Sequence, residues 1–141
     1  MSVWQALTTG EVATGPQQED PELAGRTYAI PFGRVWDAVV RLSAGGLSGW
    51  KMIRWDDDAG LVEAEVHGPL FRLPADVTVR VVLDENAQTR VDLTARRRGR
   101  GRDLGTGSRR IRRFVRALDE RLEAGSSEIL SDGAATKSAL A

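Results

Sequence analysis

The stretch that decides the fold runs Ala75-Asp76-Val77-Thr78-Val79-Arg80-Val81-Val82-Leu83. It turns through Asp84-Glu85-Asn86-Ala87-Gln88 and returns as Thr89-Arg90-Val91-Asp92-Leu93-Thr94-Ala95-Arg96-Arg97. In the first half Val77, Val79, Val81 and Leu83 alternate with Asp76, Thr78 and Arg80; in the second Val91, Leu93 and Ala95 alternate with Arg90, Asp92, Thr94 and Arg96. A period of two across a short polar turn predicts an antiparallel hairpin with one buried face and one wet face.

Upstream, Leu61 to His67 alternates Val62, Ala64 and Val66 with Glu63 and Glu65 and reads as another strand. Trp50 to Trp55 precedes it across the turn Asp56-Asp57-Asp58-Ala59-Gly60, and Thr27 to Ile30 reads as a short edge strand stopped by Pro31. Two segments have helical period instead. In Gly33 to Ala44 the residues Val35, Val39 and Leu42 recur on one face, and Gly45-Gly46 ends the run. From about Ser108, a plausible N-cap, Ile111, Phe114, Val115, Leu118 and Leu122 form a single apolar stripe. The expected fold is α+β: a four- to five-stranded antiparallel sheet with two helices on one face, in the order (β)αββββα, a helix-grip or TBP-like layer pair. Both helices must cover the apolar face of the sheet because nothing else in the chain can. Residues 1–26 read as an extended amino-terminal arm, 27–123 as the α+β domain and 124–141 as a flexible Ser/Ala/Gly-rich tail.

Cysteine is absent, which removes disulfides, thiolate metal sites and cysteine nucleophiles. Net charge is zero but unevenly spread. Residues 1–89 hold 13 acids against 7 bases, whereas residues 90–121 hold 12 arginines against 4 acids. The amino terminus lacks a signal-peptide pattern, and no apolar run approaches the ~20 residues that span a bilayer. A cytoplasmic location is expected, with peripheral attachment to a membrane complex left open.

The central region resembles a family of bacterial and plant proteins termed DUF1499. The resemblance runs from about Tyr28 to Leu122 and rests on Gly49-Trp50, on Asp76-Val77-Thr78-Val79-Arg80-Val81, and above all on Asp103-Leu104-Gly105 followed by Arg110-Ile111-Arg112 and Phe114. It implies no reaction. It marks Asp76, Arg80, Asp103, Gly105 and Arg110 as a shared structural motif. Relatives tend to show Phe-Lys-Asp-Asp where this chain has Leu73-Pro74-Ala75-Asp76, and Asn where it has Gly107. A reactive site built from those positions would be incomplete here. By analogy with relatives Trp50 and Met52 face inward, which sends Ile53 and Trp55 to the outer face. Some plant relatives are plastid proteins, so the resemblance brings a photosynthetic assembly into view.

Arg98, Arg100, Arg102, Arg109, Arg110 and Arg113 form the basic cluster. Such a cluster suits phosphates, an acidic protein or an anionic lipid surface. Without interleaved aromatics for stacking, nucleic acid is the less favoured partner. A solvated rim pairing Arg90 or Arg96 with Glu63 or Glu65 is the plain alternative. Gly105-Thr106-Gly107-Ser108 lacks the Lys of a phosphate-binding Walker loop, and Asp56-Asp57-Asp58 lacks the spacing of a calcium loop. His67 is the only histidine, too little for a transition-metal site or an evident acid–base pair. Catalytic residues, a metal site and cofactors are therefore not expected.

Exposed apolar residues point to partners instead. Trp4 and Leu7 in the arm and Ile53 and Trp55 on the sheet are candidate anchors, since aromatic side chains supply much contact area at low entropic cost. The expected role is a non-catalytic protein-interaction module, an accessory or structural subunit of a larger assembly. The alternatives are an anion- or nucleic-acid-binding module using the Arg-rich loop and last helix, and a carrier or enzyme with a pocket between helices and sheet.

Overall fold

The computed structural model describes residues 11–15, 23–68, 74–97 and 106–130. Among these residues six strands and two α-helices follow in order: β1 (Glu11–Ala13), β2 (Arg26–Tyr28), α1 (Phe32–Arg41), β3 (Trp50–Asp56), β4 (Leu61–Val66), β5 (Ala75–Leu83), β6 (Thr89–Arg97) and α2 (Thr106–Arg121). All pairings are antiparallel in the sheet order β1-β6-β5-β4-β3, and β2 also pairs with β6. The expected α+β architecture holds, enlarged by one strand. β5 and β6 have the predicted bounds and register continuously from Ala75↔Arg97 to Leu83↔Thr89.

Every apolar residue of the alternating pattern up to Val81 is buried, as are Val91, Leu93 and Ala95. Against this face lie Val35, Ala38 and Val39 of α1 and the stripe Ile111, Phe114, Val115, Leu118 and Leu122 of α2 and its end. Each such side chain contributes about 1.5–3 kcal/mol by leaving water. Trp50 and Phe114 meet with ring centroids 4.7 Å apart, which ties the first residue of β3 to the middle of α2. Leu83 departs from the expectation: at the end of the hairpin, opposite Thr89, it is 55% exposed.

Two helix boundaries differ from the sequence reading. α1 continues as one wide turn, Leu42–Gly46, closed by the Leu47 N–H donating to Leu42 O at 3.1 Å. α2 begins at Thr106, so Ser108 is buried within its first turn rather than capping it.

The amino-terminal segment contributes to the sheet. Val12 is buried opposite Ala95, and the Thr14 N–H donates to Leu93 O at 2.9 Å. Thr14 Oγ1 donates to Asp92, whose carboxylate also accepts two bonds from Arg90. At the other end, residues 124–130 fold back along β2. The Ala29 N–H donates to Glu128 O at 2.8 Å, the Leu130 N–H donates to Thr27 O at 2.6 Å, and Ile129 bridges Tyr28. β2 is thereby covered on both sides, by β6 and by this returning segment.

Candidate interaction surfaces

β3 is the terminal strand of the sheet and carries an irregularity the period-two reading could not anticipate. Its register with β4 runs Trp50↔Val66, Lys51↔Glu65 and Met52↔Ala64, then resumes one residue out of step at Arg54↔Glu63, Trp55↔Val62 and Asp56↔Leu61. Ile53 is the extra residue of a β-bulge. Directly paired residues share a face, so Trp55 belongs to the row of the buried Val62, on the helix side of the sheet. Ile53 instead lines a shallow outer hollow of about 400 Å3 with Glu63, Glu65, Asp76 and Thr78. The expectation that Ile53 and Trp55 share the outer face is corrected: the bulge sends them to opposite faces.

Both side chains are nevertheless 55% exposed, and residues 53–56 are exposed without a break. On the helix side Trp55 is followed by a turn to which α1 is tied: Trp36 Nε1 donates to Asp57 Oδ1 at 2.8 Å, and Trp36 stacks on Phe32 at 6.2 Å. On the outer side Arg54 Nη2 donates to Glu63 Oε1 at 2.7 Å.

The second surface is the solvent side of α2. Arg109, Arg112, Arg113 and Arg116, spaced at three and four residues, line a hollow of about 440 Å3 with Leu47, Ala117 and Glu120. Arg113 Nη1 donates to Ser48 O at 3.1 Å, anchoring the helix against the turn before β3. Arg110 is half-buried, and one of its guanidinium nitrogens approaches Gly68. Arg112 and Arg116 join Arg109 and Arg113 on this surface; Arg98, Arg100 and Arg102 lie outside the described residues, as do Asp103, Gly105, Trp4 and Leu7.

The outer sheet face is a charge lattice. Asp76 pairs in register with Glu65 and Arg96, and Arg80 with Leu61 and Asp92; both are exposed. Arg96 Nε approaches Glu11 at 3.8 Å, and His67 Nε2 lies 2.6 Å from Glu65 Oε1. β5 lies between β4 and β6, so Arg90 and Arg96 are not direct register partners of Glu63 or Glu65. Such exposed pairs are worth about 0–1 kcal/mol each. Among the described residues no group of three or more His, Asp or Glu is arranged to hold a metal ion. No helix among them is long and apolar enough to cross a membrane.

One buried polar cluster escaped sequence reading. Arg26 grips Asp119 through Nε at 3.2 Å and Nη2 at 2.7 Å, and the Tyr28 hydroxyl donates to Asp119 Oδ1 at 2.6 Å. Burial first, then the bond to the Asp119 carboxylate, pushes the Tyr28 hydroxyl far above its ordinary value. Burial acts to lower the Arg26 value, but the Asp119 carboxylate outweighs it and the net shift is upward. Tyr28 is fully buried, and the cluster joins β2 to the last turn of α2. Its residues lie about 90 positions apart in the chain, and no local pattern signals the meeting. The cluster acts as a clamp between the two elements.

Gly49, part of the Gly-Trp pair, also gains a physical reason. Its φ is +88°, and a side-chain carbon there would overlap the carbonyl oxygen of His67. Only glycine fits.

No curated protein matches the chain. A family model described as "Protein of unknown function (DUF1499)" matches residues 12–118. The matched span opens at Val12, the buried residue of β1, and closes at Leu118, the buried residue beside the Asp119 clamp. It therefore takes in the sheet from its second residue on, all of α1 and α2 as far as Leu118, and the chain belongs to the DUF1499 family.

Proposed function

We propose that this domain is a non-catalytic protein-interaction module, an accessory subunit of a larger assembly, which engages its partner through the β3 edge. The observation that carries the reading is the run of exposed residues from Ile53 to Asp56, with an isoleucine and a tryptophan each more than half in water on a strand that pairs with β4 on one side and has no partner among the described residues on the other. Exposed edges that must stay single are usually short, charged or covered. A tryptophan at one is an inexpensive hot spot, since it supplies large contact area with few rotamers to freeze.

The test is the native mass of the particle gently purified from its own source, for the wild-type chain and for Trp55→Ala. A wild-type particle heavier than the 15.4 kDa chain, and a variant shifted towards that mass, supports the reading. A wild-type particle of single-chain mass contradicts it.

A second reading rests on the α2 hollow. Four arginines around one concavity suit an anionic ligand, a phosphate-bearing surface included. Binding to anionic vesicles or nucleic acid that falls steeply with added salt would favour it. Salt-independent or absent binding would dismiss it.

A further inference from the structure

We propose that the partner of the β3 edge is β3 of a second copy of this chain, joined antiparallel about a two-fold axis so that Lys51 of each copy faces Asp56 of the other. The proposal rests on the interaction reading above and names the occupant of the same edge.

The argument is one of register. A two-fold axis normal to a sheet keeps every side chain on its own face, so two copies of one strand can oppose only residues that share a face. In a regular strand residues 51 and 56 point to opposite faces and could not meet. The bulge at Ile53 alters this. Lys51 pairs with the outward-facing Glu65, and Asp56 belongs with Arg54 and Glu63 to rows that continue across the outer face. Met52 and Trp55 lie opposite the buried Ala64 and Val62 and so share the inner face. A dyad between Ile53 and Arg54 therefore brings Lys51 opposite Asp56 twice on the outer face, and Met52 opposite Trp55 twice on the inner face. The bulge, which usually deters edge pairing, here makes the pairing self-complementary.

Backbone phase agrees. The His67 N–H donates to Gly49 O at 2.8 Å, so Gly49 and Lys51 turn their peptide groups towards β4 and Met52 turns its own outward. Past the extra residue the alternation shifts by one and Trp55 is the outward one. The two residues that the dyad opposes are thus the two with peptide groups to share. Charge agrees as well: Lys51 is exposed and has no ion-pair partner among the described residues. The side-chain pairs would be sulfur against indole on one face and ammonium against carboxylate on the other.

The experiment measures dimer dissociation by sedimentation for wild type, Lys51→Glu, Asp56→Lys and an equimolar mixture of the two variants, with circular dichroism confirming each fold. The wild type is expected to dimerise, and each variant alone, which sets like charges opposite each other twice, to dissociate at least about tenfold more readily. The mixture is expected to recover wild-type affinity, because in each heterodimer both facing pairs again join a carboxylate to an ammonium. Should Asp56→Lys lose its fold, since Asp56 Oδ1 accepts the Asp58 and Ala59 N–H groups, Asp56→Asn keeps that acceptor and should weaken the dimer by a smaller factor. A monomeric wild type, a dimer indifferent to Lys51→Glu, or folded variants whose mixture stays dissociated would each overturn the self-pairing. A heavier native particle holding other chains but no second copy would overturn it too, while leaving the interaction role standing.

Discussion

Asp119 accepts the hydroxyl of Tyr28 at 2.6 Å while its two oxygens hold the guanidinium of Arg26, so one carboxylate near the end of α2 fixes the short strand β2. The ion pair is largely sequestered, with side-chain exposures of 10% for Arg26 and 18% for Asp119. Removing Asp119 would take from the buried Arg26 and the buried Tyr28 hydroxyl the carboxylate that both hold. Asp119→Ala is therefore expected to cost about 3 kcal/mol in denaturant unfolding. A loss within about 0.5 kcal/mol would show that water replaces the carboxylate without penalty.

Tyr28 is the only tyrosine, which makes the clamp visible by absorbance. Its folded-state pKa is raised, so the neutral phenol is the form the fold favours. The resulting stability is complete below the ordinary tyrosine value of about 10 and is lost as pH climbs above it. Tyrosinate absorbance should consequently appear only together with the loss of circular dichroism. A smooth titration near pH 10 in a still-folded chain would place the hydroxyl in water.

Two glycines separate rigid from yielding surroundings. A side-chain carbon at Gly49 meets the backbone carbonyl of His67, whereas at Gly25 it meets Arg90 Nη2 at 2.5 Å and Asp92 Oδ1 at 2.7 Å, the ends of side chains. Both have positive φ, which alone costs a substituted residue about 1–2 kcal/mol. Gly49→Ala should lower the unfolding midpoint more than Gly25→Ala. The reverse order would mean the Arg90–Asp92–Thr14 network is the stiffer of the two.

Trp55 and Phe114 should behave as opposites. Phe114 is fully buried against Trp50, and Phe114→Ala should cost about 3–5 kcal/mol of folding free energy. Trp55→Ala should change stability by no more than about 0.5 kcal/mol, as an exposed site does, and reveal itself in assembly instead. Chemical denaturation of both variants distinguishes the roles; a large stability loss at Trp55 would make it a core residue.

How much of this was legible follows from the range of the signals. β5, β6 and the α2 stripe could be read almost residue for residue because strict alternation and helical period are local and long. β1 could not: three residues with one apolar member on the buried face, Val12, carry no periodicity. The bulge at Ile53 was hidden for a related reason. An inserted residue leaves the sequence of β3 unchanged in kind, and only its register with β4 reveals that Trp55 has changed face. Ser108 misled because a serine before an apolar stripe is a common N-cap, yet the helix starts at Thr106. Arg26, Tyr28 and Asp119 meet only in three dimensions. Of the candidate surfaces, the arginines of α2 were evident from composition, while their concavity with Leu47 depends on where the α1–β3 turn falls.

Amide hydrogen exchange along β3 tests the central claim most directly, comparing the native particle with the same chain diluted until it is single. Covered by a partner strand, the outward amides of Met52 and Trp55 should exchange many-fold more slowly in the particle, while those of β5 hold the same protection in both. Equal, rapid exchange at Met52 and Trp55 in both states would mean that this edge stays in water and that the account built on it is wrong.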